Sequence, residues 1–333
     1  MKQRINSIAV LGAGSWGSAL AIMLARNGIE VKLWGQEEEI RLLQQHRENR
    51  RFLPGIPFPA KLQPEPSLQQ AIDACDEILV VVPSHAFRPV LNQISEIHTP
   101  EALCWATKGF DPQQRRPLSV VARSIFPQAE LAVLSGPTFA VEVAQGLPTA
   151  ITVAATSESY AQRLATALQS DTFRAYTSDD LVGVQVGGAI KNIMAIAAGL
   201  SDGLGFGANA RAALITRGLA EITRLGKALG AHASTFMGLT GLGDLTLTCT
   251  DDKSRNRRMG LALAKGVGLD QARAQIGQEV EGIHAAKETW LMARELDVEM
   301  PITHQIYRIL YEDLDPKVAV NELLHRRQKA EPE

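Results

Sequence analysis

The segment SIAVLGAGSWG at residues 7–17 decides the fold of the first half of this chain. A strand-like apolar run ends at Gly12, a helix-like apolar run begins after Gly17, and a second strand-like run follows. The GxGxxG pattern alone is a weak signal, but a dinucleotide-binding turn requires this strand, turn and helix context. Its glycines permit a tight turn close to a pyrophosphate, and the helix N-terminus attracts negative charge. We therefore predict a dinucleotide site containing Gly12, Gly14 and Gly17.

The pattern around this segment predicts a parallel sheet, because short apolar runs alternate with helical stretches up to about residue 180. Beyond that point the chain resembles successive helices separated by glycine-rich turns. We expect a Rossmann-like, doubly wound α/β domain at residues 1–188 and an all-α domain at 189–333, with a disordered tail at 326–333. The predicted strands are 7–11, 30–34, 77–82, 102–107, 131–135, 150–154 and 173–176.

Composition excludes several classes of protein. The 34 basic and 36 acidic residues nearly balance, which argues against nucleic acid or an anionic membrane as the main partner. The three cysteines are widely spaced and form no CxxC pair, which predicts a reduced cytoplasmic protein without a metal site. The N-terminus runs directly into a strand and lacks the pattern of a signal peptide.

One lysine stands out because its surroundings are apolar. Lys191 lies within LVGVQVGGAIKNIMAIAAGL at residues 181–200. Burying an unpaired ammonium costs several kcal/mol or forces it to lose its proton, so this lysine suggests proton-transfer chemistry. A transmembrane helix is disfavoured, because a central lysine would cost roughly 2.5 to 3.5 kcal/mol. A lysine that extends to the surface from a core helix remains an open alternative.

The face of the helix around this lysine contains mostly small residues. We expect a ligand to lie against that face, beside the amine. The residues that share it with Lys191 are Val184, Gly187, Gly188 and Ala195.

Polar or turn-forming motifs follow three of the predicted strands. Because ligands of open parallel sheets bind at the carboxyl ends of the strands, these motifs predict a shared site beside the glycine turn. Each motif alone is also compatible with an ordinary turn. His85 is the second candidate for a general base. The motifs are Pro83-Ser84-His85, Lys108-Gly109 and Gly136-Pro137-Thr138-Phe139-Ala140.

The helical part supplies a carboxylate and a candidate anion site. We expect Asp244 to pair with Lys191 and to hold its amine. Ser254 is a good helix N-cap, which places Arg255 and Asn256 in the first turn, where free backbone amides attract anions. Basic residues are normally disfavoured there, so their presence suggests a bound phosphate; a solvated basic face is the alternative.

The choice between NAD and NADP depends on the end of the second strand. NAD-selective folds carry a carboxylate there, but this chain has Gly35 and then Gln36. We therefore expect NADP to be accepted and preferred, with NAD not excluded. Two possibilities stay open: Glu37 could supply the acid, and Arg50 or Arg51 could contact the 2′-phosphate.

Together these motifs resemble one enzyme family. GAGSWG, ATKG, GPTFAVE, GGAIKNIMAIAAGLSDG, GLTGLGDLTLTC and SRNRRMG are similar, in this order, to bacterial NAD(P)-dependent glycerol-3-phosphate dehydrogenases. The resemblance covers residues from about 5 to 320. It implies a cytoplasmic homodimer without an integral membrane segment. The implied reaction is the reversible reduction of dihydroxyacetone phosphate to sn-glycerol 3-phosphate, the precursor of the phospholipid backbone.

The resemblance also implies individual roles, with Lys191 as general acid and base. Position 138 is often serine in the family, but Thr138 keeps the hydroxyl, whereas Gln36 stands where histidine or arginine is frequent. The implied substrate contacts are Lys108, Gly136, Thr138, Lys191, Asp244, Ser254, Arg255 and Asn256. The implied cofactor contacts, besides the three glycines, are Ser15, Trp16, Gln36, Lys108, Ala140, Arg255, Glu279 and Glu281.

Two other functions are compatible with this architecture. A dehydrogenase of the 6-phosphogluconate or β-hydroxyacid class also pairs a Rossmann domain with helices and a catalytic lysine, but the GDLTLTC and SRNRR segments argue against it. A non-catalytic module that senses dinucleotides would leave Lys191, Asp244 and Arg255 without a purpose.

Overall fold

A computed structural model describes residues 4–73 and 75–325 of the chain. The described residues form a half built around a β-sheet, here called the sheet half, followed by a half made of helices, here called the helical half. The predicted fold class is confirmed. The prediction of a disordered tail at residues 326–333 lies outside the described residues.

Eight strands form the sheet in the order β3-β2-β1-β4-β5-β6-β7-β8. Its first six strands have the Rossmann order and are parallel. Residues of β1 alternate between the two faces, so that Val10 and Leu11 join different hydrophobic clusters. The strands are β1 Ser7–Leu11, β2 Glu30–Trp34, β3 Leu62–Pro64, β4 Glu77–Val80, β5 Ala102–Trp105, β6 Glu130–Ser135, β7 Thr149–Ala155 and β8 Phe173–Ser178.

All seven predicted strands are present, but the prediction of a fully parallel sheet is wrong at one pair. Strand β7 runs antiparallel to β6, and β8 is parallel to β7. The connection contains only the six-residue helix Ala140–Gln145, which at 1.5 Å per residue extends about 9 Å, whereas a six-residue strand extends about 20 Å. The helix is too short to return the chain to the amino edge, so β7 starts at the carboxyl edge.

The edge strand β3 is not among the strands predicted from the sequence. It has three residues and ends in a proline, which lacks a backbone N–H and is tolerated at a sheet edge. A run this short gives no alternation from which a strand can be predicted.

Fifteen α-helices surround the sheet and form the helical half of the described chain. The sheet half contains α1 Ser15–Arg26, α2 Glu37–His46, α3 Leu68–Asp73, α4 Ser84–Ile97, α5 Leu118–Ile125, α6 Ala140–Gln145 and α7 Glu158–Leu168. The helical half contains α8 Leu181–Gly203, α9 Gly207–Ala228, α10 Asp244–Thr250, α11 Arg255–Ala264, α12 Leu269–Ile276, α13 Glu281–Glu295, α14 Pro301–Tyr311 and α15 Pro316–Leu324.

Helix α8 is the central helix of the helical half. It packs against α9, α10, α11 and α13, and nearly all of its residues are buried. Its length and hydropathy would suit a membrane span, but 89% of the apolar window is buried inside the protein. A helix that is apolar on all sides is expected in such a core position. The division of the chain at residues 188 and 189 stays a prediction, and both residues lie inside α8.

The small face of α8 contacts protein, so the prediction that a ligand lies against it is wrong. A Cβ atom at Gly187 would lie 2.5 Å from the Thr240 carbonyl oxygen, and one at Gly188 would lie 2.6 Å from the Ser135 hydroxyl. Val184 and Ala195 are fully buried. Small residues permit the close approach of a neighbouring chain segment as well as of a ligand, and sequence alone does not distinguish the two.

Candidate active site

Lys191 is buried and makes two hydrogen bonds inside the helical half. Its side chain is 8% exposed, and Nζ donates to Asp244 Oδ1 at 2.5 Å and to Thr248 Oγ1 at 2.9 Å. The predicted pairing with Asp244 is therefore confirmed, and the alternative of a surface-reaching lysine is wrong. Burial lowers the pKa of Lys191 to about 8, with Lys108 adding to the decrease and Asp244 opposing it.

Asp244 holds two ammonium groups together. It is fully buried at the start of α10, directly after a π-helical turn, and its Oδ2 accepts a hydrogen bond from Lys108 Nζ at 2.8 Å. Thr248, one turn later, donates to the Asp244 carbonyl oxygen at 2.6 Å. Two cations share one carboxylate, so the cluster carries a net positive charge and favours negative charge on a ligand beside it.

The loop after β6 joins this cluster from the sheet half. Lys108 Nζ lies 3.4 Å from the carbonyl oxygen of Gly136, which also accepts a hydrogen bond from Thr138 Oγ1 at 3.2 Å. The structure therefore brings three of the predicted substrate-contacting residues together at the carboxyl edge of the sheet. Gly136 takes part through its backbone and does not line the cleft.

The predicted helix start at Ser254 is confirmed. Ser254 Oγ accepts a hydrogen bond from the Arg257 backbone N–H, and α11 begins at Arg255. Asn256 is engaged within the protein, because its Nδ2 donates to Asn192 Oδ1 at 2.9 Å and its Oδ1 accepts from the Gly282 N–H at 2.9 Å. This side chain therefore ties α11 to α8 and α13 beside the cleft.

The glycine turn fits a dinucleotide. Gly12 has φ +127°, and a Cβ atom there would lie 2.5 Å from the Val81 carbonyl oxygen; at Gly17 it would lie 1.8 Å from the Gly12 carbonyl oxygen. Helix α1 has no acidic residue in its first turn, which leaves its N-terminus attractive to a pyrophosphate. The buried Trp16 Nε1 finds no hydrogen-bond partner among the described residues, although the indole can donate one bond.

A cleft of about 600 Å³ lies between the sheet half and the helical half, and its walls include Lys191 and two residues of the glycine turn, Ser15 and Trp16. Ten of the predicted site residues line it, namely Ser15, Trp16, Lys108, Thr138, Ala140, Lys191, Ser254, Arg255, Asn256 and Glu281. Gly12, Gly14, Gly17, Gly136 and Asp244 do not line the cleft, and Asp244 supports it from beneath the two lysines. The catalytic, substrate and cofactor roles of these residues stay predictions.

Three further predicted residues, Gln36, Glu279 and His85, also do not line the cleft. Gln36 is the N-cap residue of α2 and makes no capping hydrogen bond with its side chain. Glu279 Oε1 lies 3.4 Å from His284 Nε2, and this hydrogen bond lowers the pKa of Glu279. His85, the second candidate base, is absent from the cleft lining, and its ring centroid lies 6.0 Å from that of His284.

Several residues that line the cleft are not among those predicted from the sequence. Asn192 donates from Nδ2 to Glu281 Oε2 at 3.3 Å and so connects α8 to α13. A signal for two of them was available, because Asn192 follows Lys191 directly and Thr248 lies one helical turn after Asp244. Phe139 and Arg258 lie within motifs that the sequence singles out, and nothing in the sequence marks the others. The others are Phe52, Leu53, Ala106, Val141, Asp251, Asp252, Lys253 and Gln278.

This fold and cleft define the class of two-domain dehydrogenases that use a nicotinamide dinucleotide. The family model for the NAD-dependent glycerol-3-phosphate dehydrogenase N-terminus matches residues 7–161, and the one for the C-terminus matches residues 180–321. The chain belongs to this family. Since both halves match it, the alternative assignment to the 6-phosphogluconate or β-hydroxyacid class is wrong.

Similar proteins support this membership over the full length. A glycerol-3-phosphate dehydrogenase (NAD(P)+) of Pseudoalteromonas translucida is 54% identical, covering 99% of this chain and 100% of the relative. One of Aeromonas hydrophila is 55% identical, with 98% of each chain covered. The crystal structure of glycerol-3-phosphate dehydrogenase from Coxiella burnetii superposes with a TM-score of 0.95 at 45% identity, covering 98% of this chain and 100% of that one.

Proposed function

We propose that this protein reversibly reduces dihydroxyacetone phosphate to sn-glycerol 3-phosphate with NADPH or NADH. The observation that carries the proposal is the Lys191 ammonium, held by Asp244 and Thr248 at the wall of the cleft that Ser15 and Trp16 of the glycine turn also line. Membership of the family and the names of the close bacterial relatives support the same reaction.

In this proposal Lys191 gives a proton to the developing alkoxide of the reduced ketone. A pKa of about 8 keeps most of this amine protonated at neutral pH and still allows it to release the proton. The Lys108 ammonium, fixed by Asp244 at 2.8 Å, stabilises the negative charge on the same oxygen. When bound, the reduced nicotinamide supplies the hydride to the carbonyl carbon.

The phosphate of the substrate would bind at the start of α11. Arg255 lies in the first turn of this helix and lines the cleft, and Ser254 leaves other backbone amides of the turn free for an anion. Thr138 and Asn256 line the same cleft and complete the proposed substrate site with Gly136. Binding energy from the phosphate would orient the carbonyl carbon and oxygen near Lys191.

The dinucleotide would bind along the glycine turn and across the cleft. Its pyrophosphate would lie at Ser15 and the α1 N-terminus, with Trp16, Ala140, Arg255 and Glu281 lining the space beyond. Gly12, Gly14 and Gly17 would shape the turn. Gln36 and Glu279 lie outside the cleft lining, so the roles proposed for them require a dinucleotide that extends beyond the cleft.

We propose that NADP is preferred over NAD because no carboxylate follows β2 directly. Gln36 occupies the position after Gly35, Glu37 is paired with Arg41 at 2.5 Å, and Glu39 is paired with Arg51 at 2.8 Å. A 2′-phosphate would therefore meet no acidic side chain at this point. Michaelis constants for NADPH and NADH test the preference, and a strong preference for NADH would overturn it.

The proposed reaction is tested by mixing the purified protein with NADPH and dihydroxyacetone phosphate and following the absorbance of NADPH. Turnover that depends on the phosphorylated ketone supports the proposal, and 6-phosphogluconate with NADP is the matched control. Binding of NADPH without turnover of either substrate would instead favour a dinucleotide-sensing module.

We further propose a cytoplasmic homodimer that supplies glycerol phosphate for phospholipid synthesis. An apolar groove of about 430 Å³ between α9, α14 and α15, bordered by exposed Phe206 and Leu324, supports assembly with a second copy. The free cysteines and balanced charge suit the cytoplasm. Sedimentation equilibrium of the wild type and of Leu324→Lys tests the dimer, which the charged variant should weaken.

A further inference from the structure

A buried asparagine connects the glycine turn to the segment that follows α2. Asn49 is 3% exposed, and its Nδ2 donates to the Ala13 carbonyl oxygen at 2.9 Å and to Ser18 Oγ at 2.8 Å. Ser18 is fully buried in α1, and its Oγ donates to the same carbonyl oxygen at 3.2 Å. The three groups therefore form a closed ring of hydrogen bonds beside one peptide group of the glycine turn.

This ring fixes the orientation of the peptide group between Ala13 and Gly14. In a trans peptide the C=O and the N–H point in opposite directions, so a carbonyl held by Asn49 and Ser18 turns the Gly14 N–H away from both side chains. Gly14 is half-buried, and a Cβ atom there would meet no atom within 4 Å, so the turn is open at this residue. Gly14 is also the N-cap of α1, where backbone N–H groups attract anions.

The same asparagine holds a second part of the cleft wall. Its Oδ1 accepts a hydrogen bond from the Phe52 N–H at 3.2 Å, and its backbone carbonyl oxygen accepts one from the Leu53 N–H at 2.8 Å. Phe52 and Leu53 line the cleft, as do Ser15 and Trp16 of the glycine turn. Asn49 therefore joins two parts of the wall that are distant in the sequence.

We propose that Asn49 is a positioning residue for the dinucleotide, which orients the peptide group of Ala13 and Gly14 so that its N–H faces the pyrophosphate. The inference rests on the proposed binding of the dinucleotide along the glycine turn. A peptide group flips by rotation about ψ of one residue and φ of the next, and here the next residue is glycine, which restricts φ least. The glycines thus permit the turn without selecting one orientation of this peptide group. A donor outside the GxGxxG motif selects it.

Asn49→Ala removes both donations from the side chain and keeps the local turn, because the Phe52 N–H also lies 3.3 Å from the backbone carbonyl oxygen of residue 49. We expect the NADPH dissociation constant to rise by about 10-fold, the scale of a buried carbonyl that loses a donor. The value of kcat at saturating NADPH should stay within about 2-fold, because Lys191 is untouched. Fluorescence titration and steady-state kinetics measure the two quantities. An unchanged dissociation constant would overturn the proposal.

The matched control is Asn27→Ala, at the other end of the same helix. Asn27 is the C-cap of α1, and its Nδ2 donates to the carbonyl oxygens of Ala167 and Leu168, at 3.1 Å each. The control removes bonds of the same kind from the end of α1 that does not carry the glycine turn. We expect it to lower the free energy of unfolding and to leave the NADPH dissociation constant within about 2-fold. Equal rises of this constant in both variants would show a general structural effect and would overturn the proposal.

Ser18→Ala separates the peptide group from the segment after α2. It removes the second donor to the Ala13 carbonyl oxygen and leaves the bonds of Phe52 and Leu53 in place, so the NADPH dissociation constant should rise by about 3-fold. A rise in Asn49→Ala without one in Ser18→Ala would show that Asn49 acts through the segment and not through the peptide group, which contradicts the proposal.

Ser18→Ala also decides if Asn49→Ala does not fold, because it tests the same carbonyl oxygen with Asn49 in place. A wild type that binds no NADPH would reject the proposed dinucleotide site itself. Wild-type binding with an unaffected Asn49→Ala rejects only the positioning role.

Discussion

Two buried carboxylates in this molecule have similar partners and different surroundings. Asp244 binds Lys191 beside the cleft, and Glu77 binds Arg163 at the start of β4, on the opposite edge of the sheet. Each carboxylate also lies near a hydroxyl group, that of Thr248 at 3.4 Å for Asp244 and that of Tyr160 at 2.7 Å for Glu77. An acid, a cation and a hydroxyl are therefore not sufficient to identify an active site.

The difference lies in the cation and in access to a ligand. Arginine stays protonated in proteins, so Arg163 has no proton to give, whereas burial lowers the pKa of Lys191 to about 8. At the other edge burial acts on the acid and raises the pKa of Glu77 to about 7. Lys191 lines a cleft and Glu77 does not. We propose that this kind of ion pair serves proton transfer beside the cleft and packing at the opposite edge of the sheet.

Removing the Lys191 amine from the cluster of Lys191, Lys108 and Asp244 should have the largest effect on turnover. We expect Lys191→Met to lower kcat by about 10²-fold or more, the scale of general acid and base catalysis, with the NADPH dissociation constant unchanged. Steady-state kinetics and NADPH fluorescence titration measure the two quantities. Near-normal turnover would reject Lys191 as the proton donor.

Removing the Asp244 carboxylate from the same cluster should have the next largest effect on turnover. Asp244 raises the pKa of Lys191, so in Asp244→Asn this pKa should fall and less of the ammonium should remain at pH 8. We expect kcat at pH 8 to fall by roughly 10- to 100-fold, with partial recovery at pH 6. Kinetics at both pH values check this, and an equal loss at each would show that Asp244 acts only on packing.

Breaking the pair at the opposite edge should change stability and leave turnover unaltered. Without its cation, Glu77 is protonated or remains as an unpaired buried charge, so Arg163→Met should lower the free energy of unfolding by about 2 kcal/mol. The Glu77 pKa is raised on folding, so its contribution to stability is present below the unfolded value and is lost as pH rises through about 7. The free energy of unfolding that Arg163→Met loses relative to wild type should therefore be larger at pH 8 than at pH 5. Denaturant titration tests this, and a large loss of kcat in the folded variant would contradict the comparison.

The sequence predicts Lys191 and the start of α11 well because each breaks a local pattern. Lys191 interrupts an apolar helix, and Ser254 precedes a basic helical turn. The Glu77 cluster has no such signal, since its partner Arg163 lies 86 residues away and neither residue disturbs its own segment. Patterns along the chain report the surroundings of a residue, but not which distant side chain meets it.

The errors in the predicted fold have the same origin. The antiparallel β7 follows from the short reach of α6, and the buried face at Gly187 follows from contact with Thr240. The pairing of Glu279 with His284 is likewise not visible in the sequence. Each depends on a length or a neighbour that becomes visible only when the elements are assembled in three dimensions.

The pH dependence of both reaction directions tests most directly whether Lys191 transfers the proton. Ketone reduction needs the ammonium and alcohol oxidation needs the free amine, so kcat/KM for reduction should fall as pH rises through about 8, while kcat/KM for oxidation rises through the same pH. In Lys191→Met both inflections should disappear. Two profiles that change in parallel, or an inflection near pH 8 that persists in the variant, would contradict the account.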